Sequence, residues 1–99
     1  VDISVRCLTE PQIRTLLSSL ADAGFAGWFR KPNEDSWTGP PHIHAIWVRC
    51  PLKTVLRRQV ESWLQGKNGL QTDLPYAFWK ASAELNSKIA SLYKASNPN

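Results

Sequence analysis

The seven residues His42-Ile43-His44-Ala45-Ile46-Trp47-Val48 decide how the chain is read. In an extended strand successive side chains point to opposite faces, so His42 and His44 share one face while Ile43, Ala45 and Trp47 occupy the other. The opening residues, Val1-Asp2-Ile3-Ser4-Val5-Arg6-Cys7, alternate in the same way. Val1, Ile3, Val5 and Cys7 form an apolar face, and Asp2, Ser4 and Arg6 form a polar one. Between these segments, residues 25 to 30 are rich in aromatic side chains and predict a further strand. Residues 31 to 41, Lys-Pro-Asn-Glu-Asp-Ser-Trp-Thr-Gly-Pro-Pro, predict a polar loop longer than a tight hairpin turn.

The segments around the strands follow helical spacing. Thr9 with Gln12 makes a capping box, and Pro11 is tolerated in the first turn. Ile13, Leu16, Leu17, Leu20 and Ala21 then recur on one face, and Gly24 sits where a left-handed glycine ends a helix. After the third strand, Leu52, Val55, Leu56, Val60, Trp63 and Leu64 predict a second helix closed by Gly66. Lys67-Asn68-Gly69 reads as a turn. Asp73, with Pro75 behind it, predicts the start of a last helix that buries Phe78, Trp79, Leu85, Ile89 and Leu92. The fold class expected is α+β: a small antiparallel or mixed sheet in β-α-β-β order, packed on helices and followed by two C-terminal helices. One domain over 1–99 is expected, with a strand-bearing core in 1–50 and a helical extension in 51–99.

Composition fits this picture. The chain has 99 residues, of which 42% are hydrophobic and 20% charged, so it is globular rather than disordered in character. A chain this short buries only about 60–65% of the surface that its unfolded form exposes. Five Trp, three Phe and two Tyr enlarge the core that remains. No run of about 18 apolar residues is present, which excludes a helical membrane span. The net charge of +4 favours anionic surfaces in general. The basic residues are dispersed, however, and the pair Arg57-Arg58 lies in a helical pattern, which speaks against nucleic acid as the partner. Cys7 and Cys50 have opposite strand parity, and thiols pointing to opposite faces of a sheet cannot bridge.

Parity also brings chemistry together. If the first and third strands share a sheet with their apolar faces toward the helices, Asp2, His42 and His44 look out on one side. Carboxylate oxygens and imidazole nitrogens are ordinary zinc ligands. By itself an Asp with a His-x-His is weak evidence, because such residues also make plain polar surface. Arg6 and Arg30 lie near the same face, where an arginine can hold a substrate carboxylate, although solvation is the simpler fate for each. Trp37 in the long loop is a candidate cleft-lining ring.

The order Val1-Asp2-Ile3, helix, Ala23-Gly24-Phe25, aromatic strand, His42-Ile43-His44 resembles the second half of the zinc-peptidase fold shared by the D-Ala-D-Ala carboxypeptidases of peptidase family M15 and the Hedgehog signalling domain. The resemblance covers residues 1 to about 48. It implies zinc as cofactor, with Asp2 as the carboxylate ligand and His44 as an imidazole ligand. His42 would stand beside the substrate, moving a proton or stabilising an oxyanion, or would orient a ligand as a hydrogen-bond partner. The family's first ligand, a His with Gly and Ala after it, would fall ahead of Val1, leaving two of three ligands here and weak zinc binding unless another chain supplies the third. The family's acidic base commonly lies shortly before the last ligand, yet residues 36 to 43 hold no carboxylate, so Glu34 and Asp35 are the nearest candidates. The implied activity is hydrolysis of bacterial cell-wall peptides, with peptidoglycan as substrate and a periplasmic or secreted setting. The alternative is a peptide- or protein-binding module on the same scaffold, without catalysis.

Overall fold

The structure is a computed structural model, and it describes residues 1–31 and 40–98. It is an α+β fold in the order β1 (Asp2–Ser4), α1 (Glu10–Ala23), β2 (Phe25–Arg30), β3 (His42–Trp47), α2 (Thr54–Leu64) and α3 (Ala83–Ser96). The three strands form one antiparallel sheet in the order β1-β3-β2. The His-x-His strand is therefore the central one.

Register sets which side chains share a face. Asp2 and Trp28 both lie opposite His44, while Ser4 and Arg30 both lie opposite His42. Directly paired residues project to the same side. One face thus carries Asp2, Ser4, Ala26, Trp28, Arg30, His42, His44 and Ile46. The other carries Ile3, Phe25, Gly27, Phe29, Ile43, Ala45 and Trp47.

α1 covers the second of these faces. It begins as its residues predict: the Thr9 hydroxyl accepts from the Gln12 backbone N–H, and the Gln12 side chain accepts from the Thr9 N–H. Gly24 ends it in a left-handed conformation at φ 103°. Ile13 and Leu17 pack with Val5, Phe29, Ile43 and Ala45 in one core cluster. Leu17 presses so closely on the sheet that a Cβ on Gly27 would meet its side chain at 3.3 Å.

α2 and α3 cover the face that bears the histidines. Val60, Trp63, Ile89 and Tyr93 pack with Ala26, Trp28, Ile46 and Val48 in a second core cluster. Among the described residues the polar face is most exposed at its β1 end, and the C-terminal helices pack on the sheet to complete the second core.

Three elements differ from expectation. β1 is only three residues long, and Arg6 and Cys7 lie in a turn beyond it. α2 begins at Thr54 rather than Leu52. The last helix begins at Ala83 on a Ser82 cap, whose hydroxyl accepts from the Leu85 N–H at 3.1 Å, rather than at Asp73. Asp73 adopts φ 50°, which is incompatible with an N-cap in extended conformation. It belongs instead to a closed loop in which Asn68 N–H donates to Leu74 O and Tyr76 N–H donates to Gly66 O. Phe78 and Trp79 are still packed inward, but from an irregular segment. Phe78 meets Phe29 at a ring separation of 4.9 Å, and the Trp79 indole N–H donates to Ser18 Oγ at 3.2 Å.

α2 and the irregular segment after it together cover the β2 edge of the sheet. A free edge exposes backbone donors and acceptors to other chains. Here the Trp63 indole N–H donates to Gly27 O at 3.1 Å, and Phe29 N–H donates to the Tyr76 hydroxyl at 2.7 Å.

Candidate metal site

Asp2, His42 and His44 do meet. Asp2 Oδ1 lies 3.3 Å from His44 Nδ1 and 3.7 Å from His42 Nε2. Each imidazole is held through its other nitrogen by an oxygen. His42 Nδ1 lies 3.0 Å from Pro40 O, and His44 Nε2 lies 3.1 Å from Gln59 Oε1. A neutral imidazole carries one N–H, so His44 either donates from Nε2 to Gln59 Oε1 and leaves Nδ1 open toward Asp2, or donates from Nδ1 to Asp2 Oδ1. The opposite nitrogen of each ring is turned toward the one carboxylate oxygen, the kind of arrangement by which a hydrogen-bonded oxygen orients an imidazole that binds a metal.

The environment is graded across the site. The Asp2 side chain is 69% exposed, that of His44 26% and that of His42 17%. The Trp28 ring is stacked on His44, with centroids 5.9 Å apart and planes at 14°. Trp28 is itself fixed by donation from its indole N–H to Lys67 O at 2.9 Å. The hydrogen bond from His44 holds the Asp2 carboxyl below its ordinary value; partial desolvation opposes this, and the charges of His42, His44 and the N-terminal ammonium reinforce it.

The donor types and one separation suit zinc. Two ligand atoms at roughly 2.0–2.1 Å from a tetrahedral zinc lie about 3.3–3.4 Å apart. The Asp2–His44 distance matches that edge, and the Asp2–His42 distance is a few tenths of an ångström longer. Among the described residues, no three His, Cys, Asp or Glu side chains form a complete metal-holding group.

The other candidates are distributed differently. Arg30 is not solvated: it is buried at 3% exposure, its Nη1 donates to Asn68 O at 2.6 Å, and its guanidinium lies 5.0 Å from the Trp28 ring centroid. The expectation of a surface arginine fails because α2 and the 66–76 loop roof over this end of the face. Arg6 lies in the exposed turn after β1, outside the register that groups Asp2 with the histidines. Glu34, Asp35 and Trp37 lie outside the described residues. Cys7 and Cys50 are both free thiols.

Two contributors were not anticipated. Gln59 comes from α2, where it interrupts the apolar stripe between Leu56 and Val60. A polar residue at a buried-face position was the available signal. Trp28 was legible only as an aromatic strand residue, because its pairing with His44 depends on register. No family model, curated protein or solved structure matches this chain.

Proposed function

We propose that Asp2 and His44, with His42 beside them, are the donor side chains of a zinc centre that hydrolyses peptide bonds of the bacterial cell wall. The observation that carries this reading is that a single carboxylate oxygen faces one nitrogen of each imidazole while an oxygen acceptor holds the other. A surface His-x-His has no need of that second anchoring.

Zinc, when bound, would polarise the scissile carbonyl and lower the pKa of water. Asp2 and His44 would hold the ion, and a third ligand would have to be supplied from outside the described residues or by a second chain. Gln59 orients the His44 ring, and Trp28 shields one face of that ring from water. His42, oriented by Pro40 O, exchanges a proton with the substrate from its Nε2 side. A peptide reaches the site from the β1 end, where the sheet face is solvated. Cell-wall peptides lie outside the cytoplasm, so a periplasmic or secreted setting is part of the proposal.

The test is release of D-Ala from a peptide ending in D-Ala-D-Ala, with zinc supplied. Zinc-dependent release that disappears in His44→Ala supports the reading. Release that survives both a chelator and His44→Ala overturns it. Saturable retention of the peptide with no release replaces the enzyme with a binding module on the same scaffold.

A further inference from the structure

Behind Trp28, on the side of the sheet edge rather than of Asp2, lies a cavity of about 360 Å³. Its walls include Trp28, Trp63, Tyr76 and Trp79, and its rim carries Lys67 and Lys80. That volume falls at the small end of the range of small-molecule sites, roughly 300–1,000 Å³.

The chemistry of the lining is one-sided. All three indole N–H groups are used within the protein, by Lys67 O, Gly27 O and Ser18 Oγ. Trp28 is fully buried and backs the cavity from behind, so the carbon surface offered to a ligand comes from the half-buried Trp79 and Tyr76 and the edge of Trp63, and the indoles add no donors. The Trp63 and Trp79 rings stand 6.0 Å apart at 41°, forming an angled pair of walls. Charge enters only as cations, because two lysines and no Asp or Glu line the space. Lys67 faces Asp73 at 3.8 Å. For Lys80, which is exposed, no ion pair or hydrogen bond occurs among the described residues. Asn86, which also lines the cavity, is held by donation from its Nδ2 to Leu64 O at 3.0 Å.

We propose that this cavity binds a small carboxylate-bearing ring compound, with the ring against the tryptophan walls and the carboxylate at Lys80. Aromatic surface takes up either an aromatic ring or the C–H face of a sugar, and the lysine supplies the charge-assisted contact that sets polarity. This inference is independent of zinc: it uses none of Asp2, His42 or His44, and it holds or fails whether or not the chain is a peptidase.

The experiment is an NMR titration of the tryptophan indole N–H signals at low salt, with glucuronate and benzoate as probes and glucose and benzyl alcohol as their uncharged counterparts. The expected result is a saturable shift of the Trp28, Trp63 and Trp79 signals with at least one acid, with the Trp47 signal unmoved. The acid that binds identifies the ring as sugar or aromatic. Lys80→Gln, an exposed substitution that spares the core, is expected to weaken that binding about tenfold. No saturable shift with either acid, equal shifts with the uncharged counterparts, or undiminished binding by Lys80→Gln would each overturn the proposal.

Discussion

Gly69 and Gly66 provide a paired test of how tightly the roof over the histidine face is built. Both are left-handed, at φ 71° and 74°. An L-residue in that conformation costs roughly 1–2 kcal/mol. What separates them is space. A Cβ on Gly66 meets nothing within 4 Å, whereas one on Gly69 would stand 2.8 Å from Trp28 Cζ2 and 3.2 Å from two further indole carbons. Trp28 cannot yield easily, since it is fully buried, hydrogen-bonded to Lys67 O and stacked on His44. Forcing such an overlap adds about 1–3 kcal/mol. Gly66→Ala is therefore expected to lose roughly 1–2 kcal/mol and Gly69→Ala roughly 2–5 kcal/mol. In a domain of this size each kcal/mol moves Tm by about 4–8 °C. Urea unfolding followed by tryptophan fluorescence reads both variants. Equal losses would refute the reasoning, because the clash would then cost nothing and the Trp28 seat would not be rigid.

Three further outcomes follow from single contacts. Burial pushes the Tyr93 phenol above its ordinary value of 10.0, assisted by Glu61, whose carboxylate accepts from its hydroxyl at 2.8 Å, and opposed by Arg57. The unfolded chain thus ionises this tyrosine first, and its contribution to stability is present below about pH 10 and lost as pH rises through the raised value. Tyr93→Phe should be less stable at neutral pH but flatter in an alkaline unfolding series, and identical slopes would contradict the assignment. Thr9→Ala removes the capping box of α1 and is expected to cost about 0.5–2 kcal/mol in the same urea assay. Gln59→Leu leaves His44 without its anchoring acceptor and should weaken zinc binding roughly 10–100-fold while the fold persists, as read by circular dichroism.

What the sequence made legible was local. Strand parity placed Asp2, His42 and His44 on one face because period two survives whatever packs above it. The cap at Thr9 and the stop at Gly24 were readable because both are set by one or two residues. The last helix was misplaced because Asp73 and Pro75 imitate a helix start, while the Gly66-to-Tyr76 backbone bonds that override them join residues far apart in the pattern. The burial of Arg30 and the role of Gln59 depended on α2 and α3 lying over the histidine face, and nothing in the periodicity of either helix says which face of the sheet it will cover. Register across β3 was equally hidden, and with it the stacking of Trp28 on His44.

The central claim is that Asp2 and His44 bind metal, and its most direct measurement is the zinc affinity of the chain by competition with a chromophoric chelator, alongside Asp2→Ala and His44→Ala. Asp2 is mostly exposed and His44 is not part of either apolar cluster, so both variants should fold. The account predicts measurable binding by the parent and a loss of at least about tenfold in each variant, as removal of a ligand costs no less than loss of its orienting partner. Zinc bound equally well by all three proteins would contradict it.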